Sequence, residues 1–179
     1  MALIERSWPT TAAVPVAFEQ LFRAEYARAV RIAYRVLGDQ AEAEDVAQEV
    51  FLSFYRAHPA DAPYAAPWLH RAAAHAALNA VRSRSHRAAR DTQDAASRDA
   101  AADPQDPESA ALERERALEV RTAMARMPRQ AAELLALRYS GLSYAEVAAA
   151  TNTKIDQVGT RLRRAHEAFR REVSRGQHR

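Results

Sequence analysis

The sequence predicts an all-α protein built from two small helical domains joined by a flexible acidic linker. Three observations predict it. Only four glycines occur in 179 residues, too few for the tight turns of a sheet-rich fold. Apolar residues recur every three or four positions in several segments, the spacing of one helix face, in a chain rich in Ala, the strongest helix former. From Ser83 to Ala111 there is no Leu, Ile, Val, Met or aromatic residue. Such a stretch cannot bury much surface, so it divides the chain.

In the first half, Phe18, Leu21, Phe22, Tyr26, Val30, Ala33, Tyr34 and Leu37 lie at helical spacing. Gly38 then reads as a helix stop. Asp39 reads as an N-cap with Glu42 as its capping-box partner, and the helix it opens runs to about Ala57. Pro59 and Pro63 mark a loop. Pro67, in a first helical turn, starts a helix from Trp68 to about Arg87. The second half opens on Asp106-Pro107-Glu108, which is an N-cap, a Pro at the first helical position and an acid at the positive helix end. That helix runs to Met127 and Pro128 breaks it. A further helix covers Ala131 to Tyr139. Ser143 and Glu146 make a capping box for a short helix, and Asn152 supplies a left-handed turn residue. Thr153 and Asp156 form another capping-box pattern, opening a final helix to about Val173. The expected organisation is an N-terminal extension over 1–17, domains over 18–90 and 108–175, a linker over 91–107 and a tail over 176–179.

Composition excludes several classes. Cysteine is absent, so no disulfide framework or thiolate metal site is available. Residues 1–17 lack the basic start and apolar run of a signal peptide. No stretch approaches the roughly 18 apolar residues of a membrane span. The expectation is a cytoplasmic protein without membrane insertion. Net charge is +3, distributed as +2 over residues 1–90, −6 over 91–119 and +7 over 120–179. Of 26 basic residues only Lys154 is Lys. The rest are Arg, whose planar fork suits phosphate, although a GC-rich genome produces the same bias.

The last two expected helices are a short helix, a tight turn and a longer helix, the helix-turn-helix arrangement whose second helix enters the DNA major groove. Ile155, Val158, Leu162, Ala165 and Phe169 make one apolar face. Asp156, Thr160, Arg163 and Arg164 lie opposite, with Gln157 and Arg161 at the margin. A plain amphipathic helix with a solvated Arg face has the same periodicity, but the capped helix and turn ahead of it favour DNA. Gly141-Leu142-Ser143-Tyr144-Ala145-Glu146-Val147-Ala148, with Met127-Pro128 upstream and Arg161-Leu162-Arg163-Arg164-Ala165 downstream, resembles region 4 of the extracytoplasmic-function (ECF) sigma factors of the sigma-70 family. The resemblance implies contact with the minus-thirty-five promoter element and the polymerase β flap, with Ser143, Tyr144, Lys154, Gln157, Thr160, Arg161 and Arg164 at the DNA. Asn152 replaces the family's usual turn Gly. Gly159 and Asp156 sit on the recognition helix, so the preferred DNA sequence is open.

The first half carries a second, separate likeness. Leu37-Gly38-Asp39 and Ala43-Glu44-Asp45-Val46-Ala47-Gln48-Glu49-Val50-Phe51-Leu52 resemble ECF region 2, whose helix binds the β′ clamp helices of core RNA polymerase. At 100° per residue Ala47, Val50, Phe51 and Phe54 share one face. Asp45, Gln48, Glu49, Leu52 and Arg56 share the other, and the resemblance implies that Asp45, Gln48, Glu49 and Leu52 meet polymerase. The helix from Trp68-Leu69-His70-Arg71 to Asn79-Ala80-Val81-Arg82 is similar to the family's minus-ten recognition and melting segment. This implies Trp68, His70, Arg71, His75, Asn79 and Arg82 as DNA contacts, although Trp68 suits the core better than base stacking. His75 and Asn79 stand where the family usually has Asn and Asp. Arg82, Arg84, Arg87 and Arg90 form a basic run suited to backbone phosphates.

The resemblance covers about residues 18–87 and 112–172, with the linker expected to thread the polymerase cleft. It implies core RNA polymerase and promoter DNA as partners, nucleoid association when bound to polymerase, and the anti-sigma partner that the family commonly has. Catalysis is disfavoured: there is no phosphate-binding glycine loop, and His70 and His75 do not share a face well. No cofactor or metal is expected. Two other readings are a stand-alone helix-turn-helix regulator, which leaves the Asp45–Leu52 face idle, and an interaction adaptor, which leaves the Arg-rich final helix unexplained.

Overall fold

The structure, a computed structural model, describes residues 14–91 and 107–177. Expectations for the linker, the Asp106 cap, the chain before residue 14 and the last two residues lie outside the described residues. Seven helices make up the described chain, in the order α1 (Val16–Leu37), α2 (Gln40–Ala57), α3 (Ala65–Asp91), α4 (Pro107–Arg126), α5 (Arg129–Tyr139), α6 (Tyr144–Thr151) and α7 (Ile155–Gln177).

The helix ends are set by local chemistry. Gly38 takes φ 72° and its N–H returns to the Tyr34 carbonyl, closing α1 in the left-handed form that Gly adopts without a Cβ penalty. Asp39 caps α2 by accepting from the Glu42 N–H at 2.9 Å. The reciprocal half of that box is not made, because the Glu42 carboxylate pairs with Arg84 of α3 instead. Helix α6 has the full box: Ser143 accepts from the Glu146 N–H, and the Glu146 carboxylate accepts from the Ser143 N–H at 2.8 Å. Asn152 closes α6 at φ 50°, ψ 50°, with its own N–H on Ala149 and that of Thr153 on Ala148, a Schellman pairing. Thr153 does not cap α7. Its hydroxyl donates to the Thr151 carbonyl, and the helix begins two residues later at Ile155.

The first three helices form a bundle. Ile32, Ala33 and Val36 of α1 pack with Phe51 and Phe54 of α2 and Leu69, Ala73 and Leu78 of α3. Phe22 stacks on Tyr26 at 4.5 Å and meets Phe51 edge-on at 5.0 Å, sealing one end. In the second half, six consecutive residues of α5, Ala132 to Leu137, are buried. A helix covered on every side lies inside its domain, and α5 contacts α1, α3, α6 and α7. The two halves expected from the sequence therefore meet: α3 packs against α1 and α2 on one side and α4, α5 and α6 on the other, and the buried residues form one continuous core. Ile155 departs from the expected apolar face of α7. As the first helical residue it projects from the turn, 57% exposed, while Val158, Leu162, Ala165 and Ala168 carry the buried stripe.

The α6 box yields a pH signature. The backbone and hydroxyl of Ser143, then Arg28, lower the Glu146 pKa from 4.5 to about 2. A carboxylate with a depressed folded pKa contributes stability that is complete above its unfolded value and lost as pH falls through the folded one. Glu146→Gln should lower stability at neutral pH, where the charged carboxylate accepts from Ser143 and pairs with Arg28. Urea titrations of both proteins should converge as pH falls from 4.5 toward about 2. A gap that stays constant across that window contradicts the assignment.

Candidate nucleic-acid and partner interfaces

Helix α2 separates its two faces cleanly. Ala47, Val50, Phe51 and Phe54 are buried, while Asp45, Gln48, Glu49 and Leu52 are all exposed. Leu52 is 47% exposed, and one turn further Tyr55 is 44% exposed, held edge-on against Phe18 at 4.7 Å. Among the described residues neither Asp45 nor Glu49 forms an ion pair. Two unpaired carboxylates flanking apolar surface suit a partner that offers both basic and apolar groups. Sequence reasoning missed Tyr55, although its i+3 spacing from Leu52 marks the same face.

The α3 residues divide in two. Trp68 packs with Phe54 at 5.3 Å and His58 at 4.9 Å between ring centroids, a half-buried position at the edge of the first core. His70 turns inward: it is 2% exposed, with Nε2 2.7 Å from Glu25 Oε2. That corrects its expected place at DNA, because a buried imidazole tied to α1 has no access to a nucleic acid. Its Nδ1 has no hydrogen-bond partner.

Arg71, His75, Asn79 and Arg82 follow one another at spacings of four, four and three, making one stripe along α3. The second half of the chain lies against its C-terminal part. Arg129 Nη2 donates to Asn79 Oδ1 at 3.0 Å. Arg82 donates from Nε to the Ala125 carbonyl at 3.1 Å and from Nη2 to the Met127 carbonyl at 3.0 Å. His75, half-buried, is held below its ordinary pKa by burial and then by Arg129, Arg71 and Arg82, against the opposing pull of Glu133. Arg129, Glu133 and Arg28 had no signal in the sequence, since each acts across the two halves.

The final two helices present the expected polar face. Ser143, Tyr144, Lys154, Gln157, Thr160, Arg161 and Arg164 are all exposed. Arg161 reaches back to Gln157 Oε1 at 3.4 Å, and the Arg138 guanidinium lies 5.6 Å over the Tyr144 ring. A Cβ on Gly159 would meet Tyr144 at 3.7 Å, an ordinary contact, so packing does not demand glycine there. Between α5, α6 and α7 an open groove of about 830 Å³ is lined by Arg138, Tyr139, Tyr144, Arg163 and His166. Asp156 sits in the first turn of α7, where the helix dipole favours an acid. Among the described residues no helix is long and apolar enough to cross a membrane.

Comparison with known proteins places both halves. Residues 21–87 match the model of Sigma-70 region 2 and residues 117–168 that of Sigma-70, region 4. The ECF RNA polymerase sigma factor SigE of Mycolicibacterium smegmatis is 30% identical over 161 residues, 89% of this chain; the chain spans 62% of that protein's length. The RNA polymerase sigma-H factor of Pseudomonas aeruginosa is 32% identical over 145 residues, 75% of each chain. Among solved structures, CnrH in complex with the cytosolic domain of CnrY has a similar fold, with TM-score 0.51 at 19% identity over 88% of this chain and 87% of that one. With both regions matched in order, and with a sigma-factor relative at this identity across three quarters of its own length, the chain belongs to the sigma-70 family.

Proposed function

We propose that this chain is a promoter-specificity subunit: it binds core RNA polymerase in the cytoplasm and directs it to a set of promoters, positioning DNA rather than catalysing a reaction. One observation carries the reading. Two exposed faces of opposite character, acidic with apolar on α2 and basic on α7, lie on the two matched regions of one chain. The α2 face of Asp45, Gln48, Glu49 and Leu52 meets the β′ clamp helices. Arg71, His75, Asn79 and Arg82 face the minus-ten element, and Trp68 supports that helix from the edge of the core. The face of Lys154, Gln157, Thr160, Arg161 and Arg164 enters the major groove at the minus-thirty-five element, with Ser143 and Tyr144 at its edge. The β flap docks on the second domain, and an anti-sigma factor is the natural regulator; CnrH, of similar fold, is itself bound to another protein.

Co-purification with core polymerase and transcription in vitro test the reading as a whole. Asp45→Arg with Glu49→Arg should leave helix content unchanged and weaken association with core. Normal folding with unchanged affinity for core removes α2 from the polymerase interface.

Base reading is separable from backbone binding. Arg164→Ala, as a phosphate contact, should weaken binding evenly across promoters and lower the salt slope by about one unit. Arg161→Ala, as a bidentate guanine contact, should cost about 1–3 kcal/mol and relax preference at one base pair. Transcription from templates with single changes in the minus-thirty-five element measures both. Two variants with wild-type activity and preference on every template return this face to solvent.

A further inference from the structure

Gly159 stands one turn into the helix that the proposed function places in the major groove, and nothing in the fold requires a glycine there. It lies within α7, where glycine is the poorest helix former after proline. A Cβ at this position would meet the Tyr144 ring at 3.7 Å, an ordinary contact. The missing side chain leaves bare backbone along the groove between α5, α6 and α7. The exposed Tyr144 ring walls that stretch, with the Arg138 guanidinium 5.6 Å over it. Arg163 follows four residues on and lines the same groove. Helical side chains lean toward the N-terminus and cover the turn before their own Cα, which for Arg163 is the turn of Gly159. Among the described residues Arg163 forms no ion pair. Bare backbone, an aromatic wall and an unpaired guanidinium thus sit together beside the exposed face of Thr160 and Arg164.

We infer that Gly159 determines specificity: it opens a notch against Tyr144 that seats the 5-methyl group of a thymine, and Arg163 reads a guanine next to it. This role rests on the proposed placement of α7 in the major groove, and it adds two residues to the face assigned there. In the major groove thymine is the base that presents a methyl group, and guanine presents two acceptors, O6 and N7, that match a guanidinium fork. A methyl group comes into contact with the helix backbone only where no Cβ stands in the way. The Tyr144 ring then gives it an apolar partner. Any larger residue at 159 holds the base edge away. Close approach to the base edge thus accounts for a glycine that weakens its own helix.

Uracil differs from thymine only by lacking the methyl group, so templates with uracil in place of single thymines in the minus-thirty-five element probe the notch. Promoter-complex formation by the full-length chain with core polymerase is the readout. With the wild-type chain one such template should lose about fourfold, the effect of one buried methyl group. Gly159→Ala should raise the thermal unfolding midpoint, since Ala is the better helix former. The same variant should bind the thymine template less well and no longer distinguish it from the uracil one. Arg163→Ala should lose at least about fivefold at one neighbouring guanine and keep the preference for the methyl group. Equal complex formation by the wild-type chain on every uracil template overturns the inference. So does a Gly159→Ala chain that keeps the wild-type response to uracil, or an Arg163→Ala chain with unaltered guanine preference. In each of those cases base discrimination by the wild-type chain leaves the proposed role of α7 standing. A wild-type chain indifferent to every base change in the element sinks that role, and the notch with it.

Discussion

Arg82 ties the two halves of the molecule together through a pair of hydrogen bonds to the Ala125 and Met127 carbonyls. A helix end leaves carbonyls without intrahelical partners, and a buried carbonyl left unpaired is costly. A guanidinium offers two donors in a fixed plane together with a positive charge, so it answers both the geometry and the dipole. With the end of α4 fixed on α3, Pro128 turns the chain and α5 enters the space beside α3. The position of α5, and through it α6 and α7, follows from that anchor.

The same economy of surface explains the character of α3. It supplies Leu69, Ala73, Ala77 and Leu78 to the core, and small Ala side chains let helices approach from several directions. A helix packed on both flanks keeps one polar stripe from Arg71 to Arg82, while Arg84 on another side pairs with Glu42 of α2. His70 lies outside that stripe, held by Glu25 in the interior. The pair joins α1 to α3, and deleting one partner leaves the other buried and unmatched.

Much of this was legible in the sequence where the controlling chemistry is local. Asp39, Ser143 and Asn152 announce helix ends because caps and left-handed turns act within four residues, and α2 runs as expected to Ala57. The faces of α2 and α7 were legible because their apolar positions are large and regularly spaced. His70 was not, since Ala-rich α3 shows little contrast between its sides and nothing adjacent announces a Glu 45 residues earlier. Ile155 fits the periodic pattern but sits at the turn, where no neighbouring helix covers it. The Arg28–Glu146 pair spans 118 residues, and no local pattern reports a contact of that separation. The closed packing of the halves was therefore invisible in the sequence, while the residues that build each half were not.

The central claim is that sequence-specific DNA binding by this chain belongs to its complex with polymerase. The most direct measurement is the gel mobility of a cognate promoter fragment mixed with the chain alone, with core polymerase alone and with both. The account predicts a stable, heparin-resistant complex only in the third mixture. Equally tight and specific binding of duplex DNA by the chain alone, unaltered by core polymerase, would contradict it and mark the protein as a stand-alone regulator.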